Sequence, residues 1–264
     1  MRRRVEQAGS DPRRRPEQIA EPSPTSASAF GDSRLVSITF DDGFRGAAET
    51  AMPILDRHGL AATFYVVTGW VEPMRAPVSD PFNAHRSHGD WAFWQEVVTH
   101  GHEVGSHGFS HVNATGRKAR LLPWMVPQEI ARSAADLRRH LPASGFTMSM
   151  PWNMTTRASE THVRRLFSAC RLGGSQVEYN LIDDLHPFAL RSWAPGPQHG
   201  WDAYARAIDD LPDGGWLIFQ FHSFDDEGWE PISPRLFDQL CRLLADCSVK
   251  VATVQAIASS AADF

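Results

Sequence analysis

The chain of 264 residues has only three cysteines, Cys170, Cys241 and Cys247, at spacings that match no metal-ligand pattern. An odd number would leave a thiol unpaired in an oxidising compartment, so they read as small buried hydrophobes of a reducing one. Long apolar runs are lacking as well. The longest, Ala61–Val67 and Trp216–Phe221, fall well short of the roughly 18 to 20 residues that span a bilayer. The basic opening Met1-Arg-Arg-Arg is followed by Val5-Glu-Gln-Ala-Gly-Ser-Asp-Pro, which supplies no apolar core for an export signal. A cytoplasmic protein without a membrane partner is the expectation. Surplus positive charge is also missing: 26 Lys and Arg stand against 31 Asp and Glu, a formal net charge of -5. That removes the electrostatic argument for a nucleic-acid partner.

What is present suits one large globular domain, with 42% hydrophobic and 22% charged residues. Residues 1–33 differ from the rest. Two arginine triplets, Arg2–Arg4 and Arg13–Arg15, four prolines and the run Ser23-Pro-Thr-Ser-Ala-Ser-Ala leave almost nothing to bury, which predicts a disordered arm. From residue 34 onward, short apolar runs alternate with amphipathic stretches. Leu35–Phe40 reads as a buried strand, Ala47–Arg57 as a helix ending near Gly59, and Ala62–Val67 as a second strand. Further helices are expected at about Trp91–Thr99, Val126–Leu141, Thr155–Ala169, Ala203–Asp209 and Pro234–Ala245. Further strands are expected near Glu103–Gly105, Gly145–Ser149, Trp216–Phe221 and Lys250–Thr253. Residues 34–264 are therefore expected to form one α/β domain, an irregular (β/α) barrel of about seven parallel strands, with its chemistry in the loops at the strand C-termini.

Three features fall at such ends. Thr39-Phe-Asp41-Asp42-Gly follows the first strand. Two adjacent acids and a glycine can simply open a turn and cap a helix. If both faced one site, repulsion would call for a metal or a cation beside them. Ser106-His107-Gly-Phe-Ser-His111 places two imidazoles four residues apart. Unliganded histidines are common, but two imidazoles and one carboxylate make a facial site for a divalent metal with positions left for water. His222 follows the strand Trp216–Phe221, where a histidine is either structural or a general acid.

Together these runs resemble the motifs of the polysaccharide deacetylases, the NodB-homology domain of carbohydrate esterase family 4, over roughly residues 34–258. The resemblance implies Asp41 as general base, Asp42, His107 and His111 as metal ligands, and His222 as general acid. Zinc is the default metal, with cobalt, nickel or manganese as alternatives. The family's third motif, an arginine two residues before Pro-Tyr-Gly, is matched only by Ser149-Met-Pro151-Trp152-Asn153. Proline and aromatic are kept and the arginine is not. Since that arginine orients the base in the family, Arg191 in Leu190-Arg191-Ser-Trp193 is the expected substitute, with Arg157 as another candidate. The backbone N–H of Trp152 is the oxyanion donor that the resemblance implies, with Pro151 beside it.

The expected reaction is metal-assisted removal of an acetyl group, most simply an N-acetyl group on an amino sugar or small glycoconjugate. Two other readings stay open: hydrolysis of a small cyclic amide or imide, and a carbohydrate-binding domain without catalysis. Among nine tryptophans, Trp152, Trp193, Trp201 and Trp229 fall in or beside expected active-face loops, where an indole can stack on a sugar or an apolar group.

Overall fold

Burial along the first strand alternates in kind, and that alternation organises the molecule. The computed structural model describes residues 32–74, 83, 85–113, 125–142 and 145–262, so all but the last two residues of the expected arm lie outside the described residues. In β1 (Arg34–Phe40), Val36, Ile38 and Phe40 belong to the large hydrophobic core beneath the helices. Leu35, Ser37, Thr39 and then Asp41 point the other way, because successive strand side chains alternate faces. Among the described residues seven strands are mutually parallel: β1, β2 (Thr63–Val66), β3 (Glu103–Ser106), β4 (Thr147–Ser149), β5 (Ala169–Arg171), β7 (Gly215–Phe221) and β8 (Val249–Val251). The two-residue β6 (Asn180–Leu181) pairs antiparallel with β7.

The sheet runs β5-β4-β3-β2-β1-β7-β6. β2 and β8 share one edge of β1, β8 along residues 34–36 and β2 along 39–40. The segment between Leu190 and Trp193 closes the curl. Leu190 exchanges backbone bonds with β5 through Cys170 O and Leu172 N, and Trp193 does so with β7 through Ile218 O and Gln220 N, all at 2.8–2.9 Å. The result is the expected irregular barrel of parallel strands.

Helices α1 (Arg45–His58), α2 (Trp91–Thr99), α3 (Val126–His140), α4 (Arg157–Leu166), α5 (Trp201–Asp209) and α6 (Pro234–Asp246) follow the strands. Their boundaries come from local chemistry. Asp90 accepts from Phe93 N to start α2, Thr156 and Ser159 form a capping box on α4, and Ser233 precedes a proline at the start of α6. Gly59, at φ 65, ends α1. The sequence reading has no counterpart for α7 (Val254–Ala262), whose Val254, Ile257 and Ala258 join Leu35, Ala169, Trp216 and Ile218 in a second core. The helix expected over Thr155–Ala169 ends at Leu166 instead, and β5 begins at Ala169.

The barrel interior is polar above that second core. Glu103 of β3 accepts from Thr63 Oγ1 at 2.8 Å, from Thr147 Oγ1 and from Gln255 N at 2.9 Å, so a buried carboxylate meets the first turn of α7. The Tyr65 ring lies across Gly105, where any Cβ would come within 2.7 Å of it; only glycine fits there. Among the described residues no helix is long and apolar enough to cross a membrane.

Candidate active site

Strand alternation brings the site together. Inward positions at or just beyond the C-terminal ends of β1, β3, β4, β5 and β7 are Asp41, His107, Ser149, Arg171 and Gln220, followed by His222. Asp41 is fixed at both ends. Its backbone N–H donates to Phe221 O at 2.8 Å. Its carboxylate accepts from Arg171 Nη2, at 2.6 Å on Oδ1 and also on Oδ2, and from Gln220 Nε2 at 3.1 Å. Arg171 in turn donates to Ser149 Oγ and, at 2.9 Å, to Ser192 Oγ. Burial alone would raise the proton affinity of Asp41, but the Arg171 guanidinium, followed by His107 and His222, holds it below the ordinary carboxylate value.

Asp42 stands beside it in a left-handed backbone conformation at φ 68, which turns its side chain away from that network. Its Oδ1 lies 3.4 Å from His107 Nε2 and 3.3 Å from His111 Nε2. Burial pushes Asp42 up, yet His111 and His107 outweigh it and the carboxyl stays ionised. Burial pushes His107 down, and the two aspartates reverse that and raise it. One potential ligand atom from each of Asp42, His107 and His111 lies within 4.8 Å of the others. Two details fit a cation at their focus. Asp42 Oδ1 is buried without a hydrogen bond of good geometry. His107 Nδ1 lies 2.9 Å from Ser149 O, so its N–H is directed there and Nε2 is left facing Asp42.

These groups open into a cleft of about 450 Å³, lined also by His222, Asn153, Trp152, Trp229 and Glu230. Trp152 and Trp229 are 48% and 51% exposed. Trp152 and Asn153 both have positive φ, 63° and 54°. The Trp152 indole stacks on His111 with centroids 5.6 Å apart, and its Nε1 donates to His111 O at 3.2 Å. Pro151, beneath them, is buried.

Two expectations are corrected. Arg191 does not reach Asp41: its side chain is 63% exposed and pairs with Glu178 at 3.1 Å. It follows Leu190 on the closing segment, and its neighbours Leu190 and Ser192 are the residues that turn inward. The arginine on Asp41 is Arg171, fully buried on β5, a strand that begins where the expected helix Thr155–Ala169 was to end. Arg157, the other candidate, opens α4. Trp193 is not a loop aromatic. It is 2% exposed and packs on Tyr204 and Phe219 at centroid distances of 5.5 and 5.7 Å, because it is part of the barrel closure.

A family model described as polysaccharide deacetylase matches residues 30–164. Among curated proteins none matches the chain. Solved structures share the fold at low identity. The Bc1960 peptidoglycan N-acetylglucosamine deacetylase, complexed with a hydroxamate-type benzamide, has TM-score 0.58 and 13% identity, over 88% of this chain and 90% of that one. A family 4 acetyl xylan esterase from Clostridium thermocellum, complexed with cobalt, has TM-score 0.53 and 20% identity over 85% and 90%. BA3943 from Bacillus anthracis, a pseudoenzyme of the same esterase family, has TM-score 0.52 and 13% identity over 86% and 66%. The fold therefore occurs with and without activity, and the side chains must carry the functional argument.

Proposed function

We propose that this chain, which belongs to the polysaccharide deacetylase family, is a metal-dependent hydrolase that removes an N-acetyl group from an amino sugar or small glycoconjugate. The observation that carries this reading is the meeting, in one cleft, of the Asp42, His107 and His111 ligand set with an Asp41 carboxylate kept ionised by Arg171. Asp42, His107 and His111 would hold the ion, zinc by the preference of this donor set, with cobalt, nickel or manganese also suited to it. A divalent ion in such a site lowers the pKa of water and polarises a carbonyl.

The chain's own residues do the rest. Asp41, anchored by Arg171 and Gln220, takes the proton of the attacking water. The backbone N–H of Trp152, in its left-handed turn beside the cleft, is assigned as donor to the oxyanion of the tetrahedral intermediate. His222, just beyond the C-terminal end of β7 on the same cleft, delivers a proton to the departing nitrogen, without which an amine leaves poorly. Arg171 is a positioning residue that fixes the orientation and ionisation of the base. The exposed faces of Trp152 and Trp229 supply the apolar walls for a sugar or its aglycone.

The test is acetate release, with loss of one acetyl mass, across a panel of N- and O-acetylated sugars and glycoconjugates, by protein reconstituted with zinc or cobalt. Activity removed by chelator, restored by metal and absent in His107→Ala together with tight metal binding supports the reading. A His107→Ala protein that still holds one metal ion as tightly as the parent overturns the ligand assignment.

A further inference from the structure

We infer that the substrate of this same site carries a free ammonium group beside its acetylated nitrogen, and that Glu230 selects for it; the inference rests on the deacetylase reading above. Glu230 belongs to the connection from β7 to α6, which is held by its own hydrogen bonds. Asp225 N donates to Ile232 O and Ile232 N to Ser223 O, each at 3.1 Å, while Ser223 Oγ donates to the Glu227 carboxylate. Gly228 lets this turn lie on the site: a Cβ there would come 2.9 Å from the Phe44 ring and 3.4 Å from His222 Cβ. The turn places Trp229 and Glu230 on the cleft wall next to the general acid.

Among the described residues lining the cleft, Glu230 is the carboxylate that no cation or imidazole meets. Asp41 is met by Arg171, and Asp42 faces two imidazoles that fit a divalent cation. Glu230 has no ion-pair partner among the described residues. None of the described residues lining the cleft is Lys or Arg. Arg86, which does reach this loop, donates to the Asp226 carbonyl at 3.1 Å. A phosphate or carboxylate on the substrate would thus meet an uncompensated carboxylate at the wall. An ammonium would gain an ion pair with Glu230. An amino sugar with one amine free and another acetylated has this pattern, and a fully acetylated sugar does not.

The experiment compares kcat/KM for acetate release from N,N'-diacetylchitobiose and from each of its two mono-N-acetyl isomers, which differ only in one acetamide replaced by an ammonium. The parent is expected to favour a mono-acetyl isomer by about twofold to fivefold, the scale of one exposed ion pair. The preference should shrink as salt is raised, fall to near unity in Glu230→Gln and reverse in Glu230→Lys. Because each variant is read as a ratio between substrates, partial loss of folded protein does not change the outcome. Equal kcat/KM in the parent, or a preference that survives in Glu230→Gln, overturns this inference and leaves the deacetylase reading standing. No acetate from any of these substrates, nor from the broader panel, overturns both.

Discussion

Two carboxylates lie wholly inside the same barrel, and their surroundings push them in opposite directions. Asp41 closes the C-terminal end of β1 and Glu103 opens the N-terminal end of β3. Burial raises the proton affinity of both. At Asp41 a guanidinium and two imidazoles overcome it, so the group is held below its ordinary 3.8. At Glu103 only the Thr147 and Thr63 hydroxyls and backbone N–H groups of α7 oppose it, so the group rises above its ordinary 4.5. Depth in the barrel does not set the direction of the shift; the presence of a neighbouring cation does.

Removing that cation should have the largest effect. Arg171→Met leaves a buried carboxylate uncompensated, which costs about 3–5 kcal/mol of stability, and kcat should fall along with it. Chemical denaturation of the metal-loaded protein measures the first and steady-state kinetics the second. In the double variant Asp41→Asn/Arg171→Met the stability losses should be strongly non-additive, since the partner charge is gone too. Simple additivity would mean that the pair does not act as a unit.

Asp41→Asn alone should lower kcat by about two orders of magnitude or more while metal stoichiometry stays near the parent's. Loss of metal from Asp41→Asn but not from Asp42→Asn would exchange the two roles. The opposite shifts also give opposite pH signatures. A depressed folded pKa stabilises above the unfolded value, so Asp41's contribution should be present above about pH 4 and vanish as pH falls through its lower folded value. A raised folded pKa stabilises below the unfolded value, so Glu103's contribution should be present below about pH 4.5 and drain away as pH climbs toward neutrality. Urea melts of chelator-treated parent, Asp41→Asn and Glu103→Gln from pH 3 to 8 would show the two differences running in opposite directions; parallel slopes would remove the contrast.

Near neutral pH, Glu103→Gln should cost only about 1 kcal/mol, the scale of one net hydrogen bond, because glutamine resembles the protonated acid that this pocket favours. Smallest of all is Arg191→Met. Its ion pair with Glu178 is solvent-exposed on both sides, so stability should change by at most about 0.2–1 kcal/mol. Its kcat should stay near the parent value. A large kcat loss there would return the base-positioning role to Arg191.

The sequence made much of this legible because the motifs sit where strands end. Asp41, Asp42, His107, His111 and His222 all follow apolar runs long enough to read as strands, or glycine-bounded ones, and parallel pairing brings those ends to one side. β5 has only three residues, too few to display a period, and it follows a strongly amphipathic helix whose pattern ran on into it. Arg171 was therefore hidden by its own strand. Trp193 misled for a related reason. Its segment makes single bridges to β5 and β7 and no extended ladder, so nothing in its sequence marks it as part of the wall.

That closing segment also bears on how the protein folds. The groups around Asp41 come from positions 149, 171, 192 and 220, and the bond from Gln220 spans 179 residues of chain. Ser192 and Gln220 both belong to the seam, one on the closing segment and one on β7. Loops of that length are slow to close, and contacts so distant in sequence form late. The amide of Gln220 and its link to Ser192 can form only when β7 and the closing segment dock, so a chain stalled before β7 would leave Asp41 without one wall of its hydrogen-bonding shell.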